Sequence, residues 1–425
     1  MRERLRAHFA ATLQALRARM AEWTPRCAGA ARDHAARGGD VLVIAFGKAA
    51  RPMATALLAV LPPTRVRGLL VPPEPDGAPM PPLEVIPGGH PLPTAGSFRA
   101  ARRALDLCGA VKPADHVVFL VSGGGSALLE LPLATGIGVD EWRAFYRALV
   151  GCGAPIDRVN AIRRRLSAVK GGRLALAAAA AADQVTILVR DVRGPIEDVA
   201  SGPTCDCSDA PDTLAADLAA YGLLRAVPEP LRTAVERGTV APLPRLHGPG
   251  RARAWATVLD EGDAHRQFAA RLASDVACID HDAAIDDLPF ATAAAQLVDR
   301  LAHLAAAHPG QRVAIVTTGE LSVPLPANPG IGGRNQQFAV ACAALIENEP
   351  ITVLSCGTDG IDGNSPAAGA LVDGTTMARA RAAGFDVHDA LRRCDAFPLL
   401  HALGDTVVTG PTGTNVRDLR ILVHG

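Results

Sequence analysis

The sequence predicts an α/β protein of two domains, the first a largely parallel three-layer sandwich, with a cleft lined from both. Three observations carry this. Apolar runs such as Val41–Phe46, Val117–Val121 and 185–189 are continuous rather than alternating, which suits strands buried on both faces of a parallel sheet. Helical patterns separate the runs, as β-loop-α units require. Finally, the runs end in glycine-rich polar loops, where open α/β sheets place ligand-binding groups.

At 425 residues the chain exceeds one ordinary core, so more than one domain is expected. A hydrophobic share of 49% against 20% charged residues is that of a globular protein. Lys+Arg and Asp+Glu balance at 43 each. No basic excess points to nucleic acid or to an anionic membrane, so any anion site must be local. Nine scattered cysteines argue for a reducing cytoplasm and against a disulfide framework. The closely spaced Cys205 and Cys207 lack the second pair a zinc site needs.

The arginine-rich amino terminus lacks the apolar core of a targeting peptide. Leu5, Phe9, Leu13, Leu16 and Met20 share one face and predict an amphipathic helix. Val41–Phe46 is the first buried strand and runs into Gly47-Lys48, with a helix over 48–60. Strands at 66–71 and 83–86 follow, the latter leading to Gly88-Gly89-His90-Pro91, and then a helix at 97–109. The strand at 116–121 ends in Ser122-Gly123-Gly124-Gly125-Ser126. Three glycines there allow otherwise forbidden dihedrals and a close approach of backbone amides to a ligand. Ser126 can cap the turn that follows, and amides converging at a helix start suit phosphate. These units make the first domain Rossmann-like.

Residues 160–177, from Asn160 through Arg164 to Lys170-Gly171-Gly172-Arg173, form a cationic stretch that could attract an anionic substrate. The strand at 185–189 ends in Arg190-Asp191-Val192, where a carboxylate can bind metal or accept a hydroxyl proton. Pro228, Pro230, Pro242, Pro244, Pro249 and Gly250 punctuate 208–250. They place the boundary between expected domains 1–240 and 241–425. A strand at 254–259 then restarts the α/β alternation. Strand 312–317 leads to Thr318-Gly319-Glu320, and Gly332-Gly333-Arg334 opens a helix where a fixed fork of donors meets free backbone amides. Strand 351–355 precedes Asp359 and Asp362, which resemble half of a calcium loop, and Thr409–Asn415 is the last polar loop.

The loop groups together are one lysine, one arginine, several carboxylates and many amides. That inventory suits phosphoryl transfer, which needs positioning and charge neutralisation more than covalent chemistry. No GxGxxG with an acidic residue about 20 positions on is present, as an NAD(P)H-dependent reductase would require.

Eight ordered motifs carry a family resemblance: AFGKAA (45–50), GGHP (88–91), SGGGSALL (122–129), LSAVKGGRLA (166–175), SGPT (201–204), GIGGRNQQ (330–337), TDGIDG (358–363) and TGPTGTNVRDL (409–419). The chain resembles the two-domain glycerate 2-kinases, and its last three motifs resemble their carboxyl-terminal MOFRL domain. The resemblance implies ATP- and magnesium-dependent phosphorylation of D-glycerate at its 2-hydroxyl in the cytoplasm. It puts the catalytic lysine and arginine on Lys48 and Arg334, with Asp191 as base or magnesium anchor. Expected nucleotide or phosphate contacts are Ser122, Gly123, Gly124, Gly125, Ser126, Lys170, Thr414 and Asn415. Expected substrate contacts are His90, Asn160 and Arg164, and Asp359 and Asp362 are further metal candidates. ATP and a small hydroxy acid are the implied partners, and a homodimer is compatible with this reading. The alternatives are an NAD(P)H-dependent hydroxypyruvate reductase, a name some relatives carry, or a kinase of a related small hydroxy acid. Arg190, Pro195, Cys394 and Ala396 depart from the family pattern.

Overall fold

The computed structural model describes residues 1–207, 213–246, 252–282 and 288–425. The expected turn at Pro249-Gly250 lies outside them. Two compact units result: Arg19–Leu259, and Met1–Ala18 together with Asp260–Gly425.

The first unit holds six strands: β1 (Val41–Phe46), β2 (Val66–Val71), β3 (Leu83–Val85), β4 (His116–Ser122), β5 (Asp183–Val189) and β6 (Ala252–Leu259). All neighbours pair in parallel, in the order β3-β2-β1-β4-β5-β6. The chain winds outward one way from β1 and the other way from β4, so the order reverses between them. In such sheets the crevice beyond the carboxyl ends at the reversal is the ligand site.

The continuous apolar runs are explained by burial on both faces. Leu42, Ile44 and Phe46, with Val117, Phe119 and Val121 beside them, pack against helices Ala95–Gly109 and Arg173–Ala177. The intervening Val43, Ala45, Val118 and Leu120 are equally inaccessible. A separate cluster forms where Trp142, Phe145 and Tyr146 of helix Val139–Gly151 meet helices Ile156–Leu166, Thr213–Ala220 and Glu229–Glu236.

One expectation fails here. The strand placed at 254–259 does not begin the second α/β alternation; it is β6, and it pairs with β5. Without it β5 would leave its backbone groups unpaired on that side. The units therefore divide at 259/260 rather than 240/241.

The second unit holds β7 (Cys278–Asp282), β8 (Val313–Gly319), β9 (Ile351–Gly357), β10 (Gly369–Asp373), β11 (Thr406–Val407) and β12 (Asp418–His424), ordered β11-β10-β9-β12-β8-β7. This sheet is mixed: β12 runs antiparallel between β8 and β9. Asp418 thereby lies opposite both Gly319 and Gly357. Helices Phe290–Ala307 and Arg334–Leu345 supply much of the core. The arginines of the amino terminus anchor their helix here. Arg2 pairs with Asp373 at 2.8 Å and with Asp405, and Arg17 donates to the Thr412 carbonyl at 2.9 Å.

Gly68 tests the sheet register, because a Cβ there would lie 1.9 Å from the Val43 carbonyl oxygen. The substitution Gly68→Ala should cost about 3 kcal/mol of stability in urea unfolding, as overpacking against backbone does.

Candidate functional site

The loops after β1 and β4 flank the reversal and are bonded together. The Lys48 amide donates to the Gly123 carbonyl at 2.9 Å, and the Ala49 amide donates to Ser122 Oγ at 2.9 Å. Ser122 is fully buried. Its hydroxyl therefore fastens the lysine loop, which corrects its expected role as a phosphate contact.

Each glycine of the β4 loop is backed by another group. At Gly123 a Cβ would lie 1.7 Å from Asp191 Oδ2. At Gly124, whose φ is +80°, it would approach His90 Cδ2 at 3.0 Å and Lys48 Cγ at 3.4 Å. At Gly125 it would meet Ala200 Cβ at 2.7 Å. Asp191 thus stands against Gly123, while His90 and Lys48 lie beside Gly124, whose positive φ itself favours glycine. His90 is exposed, while Lys48 and Asp191 are half-buried.

Behind the loop lies a hydrogen-bonded chain. Ser126 Oγ bonds Ser201 Oγ at 2.8 Å, and Ser201 donates to Asn160 Oδ1 at 3.1 Å. Asp198 Oδ1 accepts from Asn160 Nδ2 at 3.4 Å and from Arg164 Nη1 at 3.3 Å. Ala200 and Ser201 hold positive φ of 53° and 61°, a conformation that non-glycine residues keep only when their surroundings enforce it. Asn160 and Arg164 are buried to 2% and 4% exposure. They brace the loop rather than line an open surface, against the expectation of substrate contact.

Lys170 is corrected more strongly. Its side chain is 1% exposed and pairs with the inaccessible Glu130 at 2.7 Å. Burial lowers the Lys170 pKa, opposed by the Glu130 charge. Ser167 donates to Glu130 at 2.7 Å, and the Tyr146 hydroxyl reaches both Glu130 and the Ser126 carbonyl. This cluster supports the glycine loop from beneath. Sequence reasoning missed Glu130, Tyr146 and Ser201. The one available signal was an acid, Glu130, set inside the apolar run Leu128–Leu131.

In the second unit, Arg334 opens its helix after Gly333. Its Nε donates to Asp418 Oδ2 at 2.6 Å, Nη2 to Asp418 Oδ1 at 3.2 Å, and Nη1 to Glu320 Oε2 at 2.8 Å. Burial disfavours the charges on Arg334 and Asp418, but their attraction prevails. The Arg334 pKa is raised and the Asp418 pKa lowered.

The helix amides are not open to an anion as expected. Asp362 accepts from the backbone N–H groups of Asn335 at 3.0 Å and Gln336 at 2.9 Å, and from both side-chain amides. It is 2% exposed. Asp362 is thus the helix cap, and its acceptor oxygens are committed away from metal. Asp359 Oδ1 accepts the Ile361 amide at 3.1 Å. Thr414 bonds the Thr358 carbonyl and Thr412, and both Thr414 and Asn415 are buried. Thr414 holds its loop together, and neither residue is an exposed phosphate contact. Glu320 and Asp418 were missed as partners of Arg334, since 14 and 84 positions separate them from it.

Residues 4–236 match the family described as a domain of unknown function, DUF4147, and residues 313–418 match the MOFRL family. D-glycerate 2-kinase of Thermotoga maritima is 34% identical over 401 residues, spanning 90% of each chain. Glycerate 2-kinase of Pyrococcus horikoshii is 31% identical over 91% of this chain and 87% of its own. A protein of Agrobacterium vitis bearing a hydroxypyruvate reductase name is 35% identical over 91% and 88%. The crystal structure of the Thermotoga maritima glycerate kinase superposes with a TM-score of 0.77 at 30% identity, covering 98% of this chain and all of its own.

Two outcomes follow from the buried carboxylates. Burial lifts the Asp362 pKa from 3.8 to about 6 despite its donors. Its contribution to stability is therefore fully present at acid pH and lost as pH rises through about 6. A carboxyl ¹³C titration should place its midpoint there, and Asp362→Asn should flatten the stability slope between about pH 4 and 6. Lys170→Ala should cost about 3–5 kcal/mol in denaturant unfolding, because it strands the Glu130 charge; Lys170→Met with Glu130→Gln should cost less.

Proposed function

From the premise that the chain belongs to the glycerate 2-kinase family with a carboxyl-terminal MOFRL domain, we propose that it transfers the terminal phosphoryl of ATP to the 2-hydroxyl of D-glycerate. It is a kinase, and glycerate phosphorylation is its reaction. The donor, the hydroxyl chosen and the residue roles are the proposal.

The observation that carries it is the convergence of Lys48, His90 and Asp191 on the glycine loop at the sheet's reversal. Lys48 and Arg334 are the proposed catalytic cations, each neutralising charge on phosphoryl oxygens. Gly123–Ser126 supply backbone for close approach to phosphate, and His90 is the proposed hydroxy-acid contact. Among the described residues no group of three or more His, Cys, Asp or Glu could hold a metal. A single loop carboxylate can still suit magnesium, which is ordinarily held by one or two carboxylates plus the nucleotide's own phosphates. Asp191 is the carboxylate proposed to hold it, where it would offset phosphate charge. If Asp191 instead takes the hydroxyl proton, Asp191→Asn would lower turnover without changing magnesium dependence.

Among the described residues no helix is long and apolar enough to cross a membrane. The nine scattered cysteines of the sequence suit a reducing, cytoplasmic location. A reductase reading rests on relatives' names; the β1 loop offers Gly47-Lys48-Ala49-Ala50 where a dinucleotide fingerprint would stand.

Incubation with ATP, magnesium and a panel of hydroxy acids should release ADP with D-glycerate and yield 2-phosphoglycerate. No substrate-dependent ADP from any acid, or NADH oxidation by hydroxypyruvate, would overturn the reading. Lys48→Ala and Arg334→Ala should each lower kcat on the order of 10³-fold with the fold retained by circular dichroism.

A further inference from the structure

The two carboxylates on Arg334 differ in a way that matters for anion binding. Asp418 occupies the Nε–Nη2 edge of the guanidinium and its side chain is 2% exposed. It opens β12 between the ends of β8 and β9, and its carbonyl accepts from Thr318 Oγ1 at 2.8 Å. Withdrawing it would leave a buried charge without its partner, so this pair is permanent.

Glu320 is different. Of the Arg334 nitrogens it accepts from Nη1, and its side chain is 38% exposed. It follows directly on Gly319, whose φ of +125° turns the chain out of β8. From Glu320 to Gly333 the backbone is irregular apart from an isolated bridge at Ser322. A carboxylate and a phosphoryl group offer arginine the same kind of charged acceptor oxygen. With both carboxylates bound, Arg334 carries no net positive charge toward an incoming polyanion.

We propose that Glu320 is an internal competitor for Nη1 of Arg334, displaced by a phosphoryl-bearing ligand, while Asp418 is the positioning residue that keeps the guanidinium aimed during the exchange. The inference rests on the phosphoryl-transfer reading above. It adds a residue whose removal strengthens binding, which neither a structural salt bridge nor a ligand contact would do.

The test is isothermal titration of the intact protein with sodium tripolyphosphate, which reads anion affinity without turnover. Glu320→Gln should bind tripolyphosphate roughly 10-fold more tightly than wild type, and Glu320→Asp, which keeps the charge, should stay near wild type. Arg334→Ala should bind weakly, and adding Glu320→Gln to it should restore nothing. In turnover, Glu320→Gln should lower the KM for the phosphate donor, whereas Asp418→Asn should depress kcat more than it raises KM. Unchanged or weaker tripolyphosphate binding by Glu320→Gln overturns the inference, as does absence of binding by both wild type and that variant. Failure to phosphorylate glycerate while Glu320→Gln still binds the anion more tightly would overturn the substrate reading alone.

Discussion

The bond from the Lys48 amide to the Gly123 carbonyl, with Ser122 Oγ capturing the Ala49 amide, is the contact on which the first site depends. It ties the carboxyl ends of β1 and β4 at the one point where the sheet's winding reverses. Ala49 and Ser122, 73 positions apart, thus join the lysine loop and the glycine loop into one feature. Asp191 can lie against the loop because Gly123 carries no Cβ, and His90 and Lys48 stand beside Gly124.

Support for that feature comes from charge buried where water cannot reach it. Glu130 and Lys170 pair at 2.7 Å, and Tyr146 links the pair to the Ser126 carbonyl. Such a pair is weak evidence for stability by itself, but breaking it leaves an uncompensated charge. Ser201, Asn160 and Asp198 extend the same logic on the other side of Ser126. The second unit repeats the principle with opposite sign: Asp362 and Asp418 are acids held by a helix start and by Arg334. In both units buried ionised residues are held by partners beneath or beside the glycine-rich loops.

Much of the architecture was legible because local patterns encode it. Continuous apolar runs marked β1, β4 and β5, and their glycine-rich ends marked the loops around Lys48, Gly124 and Asp191. The errors shared a cause. Lys170, Asn160, Arg164, Thr414 and Asn415 are polar residues expected at a ligand that prove to be buried. Lys170, Asn160, Arg164 and Thr414 each find a partner within the protein. A polar residue's sequence neighbours do not reveal whether a distant acid or carbonyl awaits it.

The sequence by itself determined most strands of the first sheet and the glycine-rich loops that end them, because periodicity and motif spacing are local properties. Tertiary structure alone decided that β6 completes the first sheet, that β12 enters the second between β8 and β9, and that Arg334 faces Asp418 and Glu320. Those outcomes depend on which unpaired edge or buried charge finds a partner after the chain collapses. That partner is set by distance in space, and the order of residues along the chain does not record it.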